Sequence, residues 1–190
     1  MEVVNILPTP VAIIPCPFHD KVKENILTEI EEQKLNQLSY NTNSRALSHI
    51  GHYSVLQNDV KFGRFRNWCE QQAELYAKEV KGDYIQETVQ VTDSWINVCD
   101  AGGKQLPHFH INAAVCALYY VNFDDSSHSP TYFYRPNDSQ KYPDYYSYML
   151  TNHKHTKYNN INEVVGLEGS LLLWPANCVH GYGTNYTDNR

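Results

Sequence analysis

Residues 95–110 read Trp95-Ile-Asn-Val-Cys-Asp-Ala-Gly-Gly-Lys-Gln-Leu-Pro-His108-Phe-His110, and an apolar stretch from Ala113 to Val121 follows them. Short β-branched and aromatic runs parted by a glycine pair describe strands joined by a turn. In an extended strand, residues i and i+2 point to the same face, so the imidazoles of His108 and His110 can reach one metal ion. A third histidine, His180, stands seventy positions after His110. Such spacing is expected where two strands of a closed β structure bring ligands together. Three protein ligands leave coordination positions open for water, substrate or O₂, which marks a catalytic rather than a structural metal.

Outward from this stretch, the apolar period changes near residue 84 from helical to two. Segments 86–99, 112–123, 130–135, 161–166 and 169–174 read as short strands. Gly102-Gly103, Asp124 to Ser127, and Glu168-Gly169 supply the turns. Upstream, residues 3–14 read as a proline-interrupted strand at a sheet edge. Val22, Ile26, Leu27 and Ile30 set a helix over 17–35. A second helix over 58–80 carries Val60, Phe62, Phe65, Trp68, Cys69, Ala73 and Tyr76 on one stripe, read as a face packed on a sheet. Residues 36–56 are polar and irregular. The fold class expected is mainly β with flanking helices: a double-stranded β-helix, or jelly-roll barrel, braced by two N-terminal helices. Residues 1–190 form one domain, with 1–83 as helical support and 84–190 as barrel core. The polar, tyrosine-rich loop 137–160, with tyrosines 142, 145, 146, 148 and 158, has the length of a functional lid; a solvated disordered loop is the alternative.

Composition narrows the function classes. A net charge of −6 argues against a nucleic-acid surface, which is normally basic. Fifteen tyrosines lift the aromatic share to 13%, which suits half-buried pleated surfaces and pocket walls. Cysteines 16, 69, 99, 116 and 178 form no C-x-x-C pair, and Met-Glu-Val-Val-Asn is no secretory leader, so reduced thiols in a cytoplasmic protein are expected. No apolar stretch approaches 18 residues, so no membrane span or membrane partner is expected. No G-x-S-x-G, phosphate-binding loop or dinucleotide fingerprint is present. His19, His49 and His52 read as surface or capping residues, and His128, His153 and His155 as loop residues. His153-Lys-His155 copies the H-x-H spacing but lacks apolar flanks.

The run Trp95 to His110 with Ala-Leu-Tyr119-Tyr120-Val-Asn resembles the iron-binding half of a 2-oxoglutarate/Fe(II)-dependent dioxygenase. So does Gly169-Ser-Leu-Leu-Leu-Trp174-Pro175-Ala-Asn-Cys-Val-His180 followed by Arg190. The similarity is greatest to the prolyl-hydroxylase-like branch and to small oxygenases of phages and marine bacteria, and it is strong over 90–136 and 161–190. It implies Fe(II) on His108 and His180, and 2-oxoglutarate held at its distal carboxylate by Tyr120 and Arg190, whose guanidinium fork pairs with a carboxylate. Tyr119 and Asn97 are expected as further contacts to the keto acid, and Tyr145, Tyr146 and Trp174 as contacts to substrate. The implied reaction is oxidative decarboxylation of 2-oxoglutarate to succinate and CO₂, coupled through O₂ to hydroxylation of a C–H bond, with ascorbate as an aid. The implied partner is a small-molecule or peptide substrate bearing an amino-acid side chain, with a homodimer allowed. A phage-encoded protein acting in the host cytoplasm fits the same resemblance.

Two departures matter. The family usually places Asp or Glu two residues after the first histidine, where this chain has His110. Strand geometry favours His110 as a third ligand; the alternative is a pocket residue that leaves a position open. Arg190 is the last residue, so either the natural protein continues or it is a truncated, impaired oxygenase. Gly102, His108-x-His110, Gly169, Pro175 and His180 also resemble the two cupin motifs, without the glutamate cupins place after the second histidine. Three-histidine cupin dioxygenases need no keto acid. A three-histidine zinc hydrolase and a metal-free binding barrel are the remaining alternatives.

Overall fold

The computed structural model describes residues 10–35, 47–50, 54–82, 88–124, 127–128, 131–133, 148–149 and 167–187. Two helices brace the sheets. Helix α1 spans His19–Leu35 and α2 spans Asp59–Lys81. The Asn58 side chain caps α2 by accepting from the Lys61 N–H, and Gly82 ends it at φ 79°, a conformation costly for any other residue. Phe62, Phe65, Cys69, Ala73 and Tyr76 recur at three- and four-residue steps and are buried. Val60, expected on this stripe, is 98% exposed, because it precedes Phe62 by two residues and so turns about 200° away from it. Leu27 is likewise exposed, whereas Val22 and Ile26 are buried. Buried Glu29 of α1 accepts from Lys61 of α2 at 2.8 Å, and the Asn25 amide donates to the Lys61 carbonyl at 2.7 Å, which locks the helices together.

Among the described residues nine strands pair antiparallel. Strands β1 (Ala12–Pro15), β5 (Val115–Tyr119) and β8 (Ser170–Pro175) form one sheet in the order β1-β8-β5. The proline-flanked β1 thus lies at an edge, as its sequence predicts. Central β8 is buried on both faces, which explains its unbroken Leu-Leu-Leu-Trp run. Leu171 and Leu173 pack on Phe62, Phe65 and Cys69 of the helix layer. Leu172 and Trp174 face the other way, joining Cys116 and Phe133. Each such burial stabilises by about 1.5–3 kcal/mol.

Strands β4 (Gln105–His108), β6 (Thr131–Phe133), β7 (Tyr148–Met149) and β9 (His180–Tyr182) form a second sheet in the order β4-β9-β6-β7. It meets the first across the cluster of Phe133 and Trp174, whose rings stand 5.3 Å apart. Strands β2 (Leu47–Ile50) and β3 (Ile96–Cys99) make a two-stranded ribbon. Strand β2 falls in the stretch read as irregular, where its four residues are too short to show a period. The strand expected over 86–99 narrows to β3. Before it, the Val91 N–H bonds the Glu70 carboxylate at 3.0 Å, and Gln57 reaches the carbonyls of Val91 and Thr92. Side chains, not a ladder, satisfy that backbone.

The chain is therefore mainly β with two helices, as expected. No sheet closes among the described residues. No described helix is long and apolar enough to cross a membrane. All five cysteines are free thiols. The expected strand 161–166 lies outside the described residues. So does the lid 137–160, apart from the backbone of β7.

Candidate metal centre

Antiparallel pairing of β4 with β9 sets His108 opposite His180. Their ring centroids are 4.3 Å apart, with His110 at 5.1 Å from His108 and 5.3 Å from His180. One ring nitrogen from each of the three lies within 4.8 Å of the others. Nitrogens sharing one ion at about 2.1 Å stand about 3.0–3.4 Å apart in facial or tetrahedral arrangements, so closing round a metal takes a movement of up to roughly an ångström by each side chain. The three residues predicted from sequence are brought together. The route for His110 differs from strand alternation, however: β4 ends at His108, and His110 is held by its N–H bond to the Ala176 carbonyl at 3.0 Å. That carbonyl belongs to the turn between β8 and β9, so the turn carrying the chain to His180 also places His110.

Protonation favours ligation. The Nδ1–H of His108 donates to the Leu106 carbonyl and that of His180 to the Cys178 carbonyl, both at 2.9 Å. This tautomer leaves each Nε2 lone pair for a metal. Burial pushes His180 down to about 4, helped by His108 and His110 and opposed by the Cys178 carbonyl. Burial, then His108, also lowers His110, with Asp93 opposing. Both rings are therefore neutral near pH 7, as ligands must be. An all-imidazole set suits iron, zinc, copper or nickel.

Around the triad, Trp174 touches His180 with ring centroids 4.8 Å apart, and Phe133 lies at 6.4 Å. The Trp174 indole Nε1–H is buried with no acceptor among the described residues. Tyr120 packs on the same inner cluster, its hydroxyl accepting the Thr131 N–H at 2.9 Å and lying 2.7 Å from Thr131 Oγ1. Three neutral imidazoles, with a half-buried tyrosine hydroxyl on the cluster that packs against them, are a donor set that fits a metal carrying an oxygen-rich anion.

Tyr119 is placed otherwise. One residue along β5 it turns to the helix face, 2.8 Å from His19 Nδ1 and with its ring 4.8 Å from that of Phe65. Strand alternation thus separates it from the histidine side. Asn97 is exposed on β3, opposite His49. Arg190, Tyr145, Tyr146, His52, His153 and His155 lie outside the described residues.

Three neighbours escaped the sequence reading. His49 stacks on Trp95 with centroids 5.9 Å apart and lies beside the side chain of buried Gln105. Trp95 in turn stands 5.9 Å from His110. Gly181 follows His180, where a Cβ would meet the Gln105 carbonyl oxygen at 2.7 Å. For His49 and Gln105 the sequence holds no signal, since pairing alone joins their strands. The Gly beside the distal histidine was a legible hint of close backbone approach.

Residues 93–190 match the model of the family described as "Putative 2OG-Fe(II) oxygenase". No curated protein matches the chain. The match contains His108, His110 and His180 together with Tyr120 and Trp174. With more than half of its length inside that match, this chain belongs to the 2OG-Fe(II) oxygenase family.

Proposed function

We propose that the protein is a 2-oxoglutarate- and Fe(II)-dependent hydroxylase of an amino-acid side chain, free or within a peptide, with His108, His110 and His180 as the iron ligands. The observation that carries this is three imidazoles gathered within 4.8 Å in a chain of this family. Iron, when bound, supplies the redox chemistry by which O₂ and 2-oxoglutarate give succinate, CO₂ and a hydroxylated product. The chain's own residues do the rest. Three neutral imidazoles hold the metal and leave positions for the keto acid and O₂. The Tyr120 hydroxyl, oriented by Thr131, and the Arg190 guanidinium hold the distal carboxylate. Phe133, Trp174 and Leu172 keep bulk water from that side of the metal.

The same reading places the chain in the prolyl-hydroxylase-like branch, with its two larger sheets as the halves of a jelly-roll barrel and residues 137–160 as a lid that contacts substrate through Tyr145 and Tyr146. A single domain acting in the cytoplasm completes it. The all-imidazole ligand set favours one second reading, a three-histidine cupin-type dioxygenase that binds its substrate to iron without a keto acid. Incubation with Fe(II), ascorbate and 2-oxoglutarate in air separates the two. Release of succinate that depends on His180 supports the proposal. Tight iron binding with no affinity for 2-oxoglutarate hands the protein to the cupin reading.

A further inference from the structure

We propose that Trp95 is the positioning residue for His110: its ring holds the third imidazole towards His108 and His180 before a metal arrives. The inference rests on the ligand set proposed above and not on which co-substrate the metal carries. The three imidazoles are not fixed alike. His108 and His180 each lock their rings through Nδ1, to the carbonyls of Leu106 and Cys178. Among the described residues no hydrogen bond holds the His110 ring. Its backbone is tied to the Ala176 carbonyl, but that leaves both side-chain torsions free. A ligand that the metal itself must order binds more weakly, because its lost rotamer freedom is set against the bond formed.

Packing supplies what hydrogen bonding does not. Three rings face His110: His108 at 5.1 Å, His180 at 5.3 Å and Trp95 at 5.9 Å. The first two are ligands of the same ion, so Trp95 is the wall that comes from outside the triad. That wall is itself fixed. Beside it, Ser94 accepts the Val55 N–H on its carbonyl at 3.1 Å and the Leu56 N–H on its hydroxyl at 2.9 Å. On β2, His49 pairs with Asn97, which makes it the diagonal neighbour of Trp95, and the two rings stack with 30° between their planes. A core role does not explain an indole here. Trp95 is only half-buried and belongs to neither apolar cluster. The two-stranded ribbon thus presents a flat, braced ring to the one imidazole that lacks a hydrogen bond.

The test is a double-mutant cycle read by competition titration of zinc, with no turnover needed. Trp95→Leu should weaken zinc binding about 10-fold or more, the usual effect of removing a residue that orients a ligand, and Trp95→Phe should recover most of it. In a His110→Asp background, where a short carboxylate replaces the ring that Trp95 holds, Trp95→Leu should change the affinity by no more than about 2-fold. Equal loss in both backgrounds would mean that Trp95 supports the fold in general; the inference then fails and the ligand set stands. Wild-type affinity in Trp95→Leu would also overturn it. If His110→Ala keeps wild-type zinc affinity, the ligand set fails and the inference with it. Should Trp95→Leu not fold, Trp95→Met takes its place in the same cycle. Should His110→Asp bind no zinc, Cu(II)-loaded wild type and Trp95→Leu decide. Pulsed EPR, which counts bound imidazoles by their remote nitrogens, should lose the His110 signal in Trp95→Leu, and equal counts would overturn the inference.

Discussion

Replacing Gly181 by alanine should loosen the metal site without touching a ligand. Gly181 lies on β9 between β4 and β6. An added Cβ would stand 2.7 Å from the Gln105 carbonyl oxygen, 3.2 Å from the Tyr132 hydroxyl and 3.3 Å from the Leu106 carbonyl carbon. Tyr132 can swing aside, but the two backbone atoms belong to β4. Ordinary contact begins near 3.4 Å, so β4 must retreat by about 0.7 Å (3.4 − 2.7). Gln105 pairs with Tyr182 and His108 with His180 on the same ladder, so the retreat draws His108 away from His180. Overpacking of this kind costs about 1–3 kcal/mol. Expressed wholly at the site, at 1.4 kcal/mol per tenfold, it weakens metal binding roughly 5- to 150-fold. Competition titration of zinc reads the affinity, and denaturant unfolding of metal-free protein reads how much of the strain is structural. Gly63→Ala is the control: its Cβ meets only Asp59, at 3.6 Å, so the helix should gain about 0.5–1 kcal/mol with unchanged metal affinity. Wild-type zinc affinity and stability in Gly181→Ala would refute the idea that close approach of β4 and β9 sets the histidine pair.

Metal-free protein should lose stability in acid through His180. Its pKa falls from 6.5 to about 4 on folding, so between those values the unfolded chain binds more protons. Stability is then fully present above pH 6.5 and falls as pH drops towards 4, by about 3 kcal/mol in all; His180→Gln should flatten the curve, and an equally steep curve in that variant would sink the assignment. Thr131→Val should remove the hydroxyl partner of Tyr120 and raise the Kd for 2-oxoglutarate about 3- to 10-fold, with Thr131→Ser restoring it. Calorimetry showing Val and Ser variants alike would mean that Tyr120 needs no such support.

Much of the site was legible because its signals are local. His108, Phe109 and His110 stand together, and Pro175 to His180 is one continuous turn into a strand. The helices were legible for the same reason: an apolar stripe at 3.6-residue spacing is set within a few residues. What stayed hidden depends on pairing across the chain. Nothing near His49 tells that β2 will lie on β3 and bring its ring to Trp95 and Gln105. The two adjacent tyrosines illustrate the limit: both have the right chemistry, but alternation along β5 sends Tyr119 to the helices and Tyr120 to the inner cluster. His110 gives the converse case. The expectation was right about its neighbours, while the cause is a hydrogen bond to Ala176 rather than the pleat of a strand.

Anaerobic Fe(II) titration of wild type, His108→Ala, His110→Ala and His180→Ala tests the central claim most directly. The account predicts one iron per chain in wild type and loss of stoichiometric iron in each variant, since two imidazoles alone hold the ion poorly. Iron bound one-to-one with unchanged affinity in His180→Ala would contradict it.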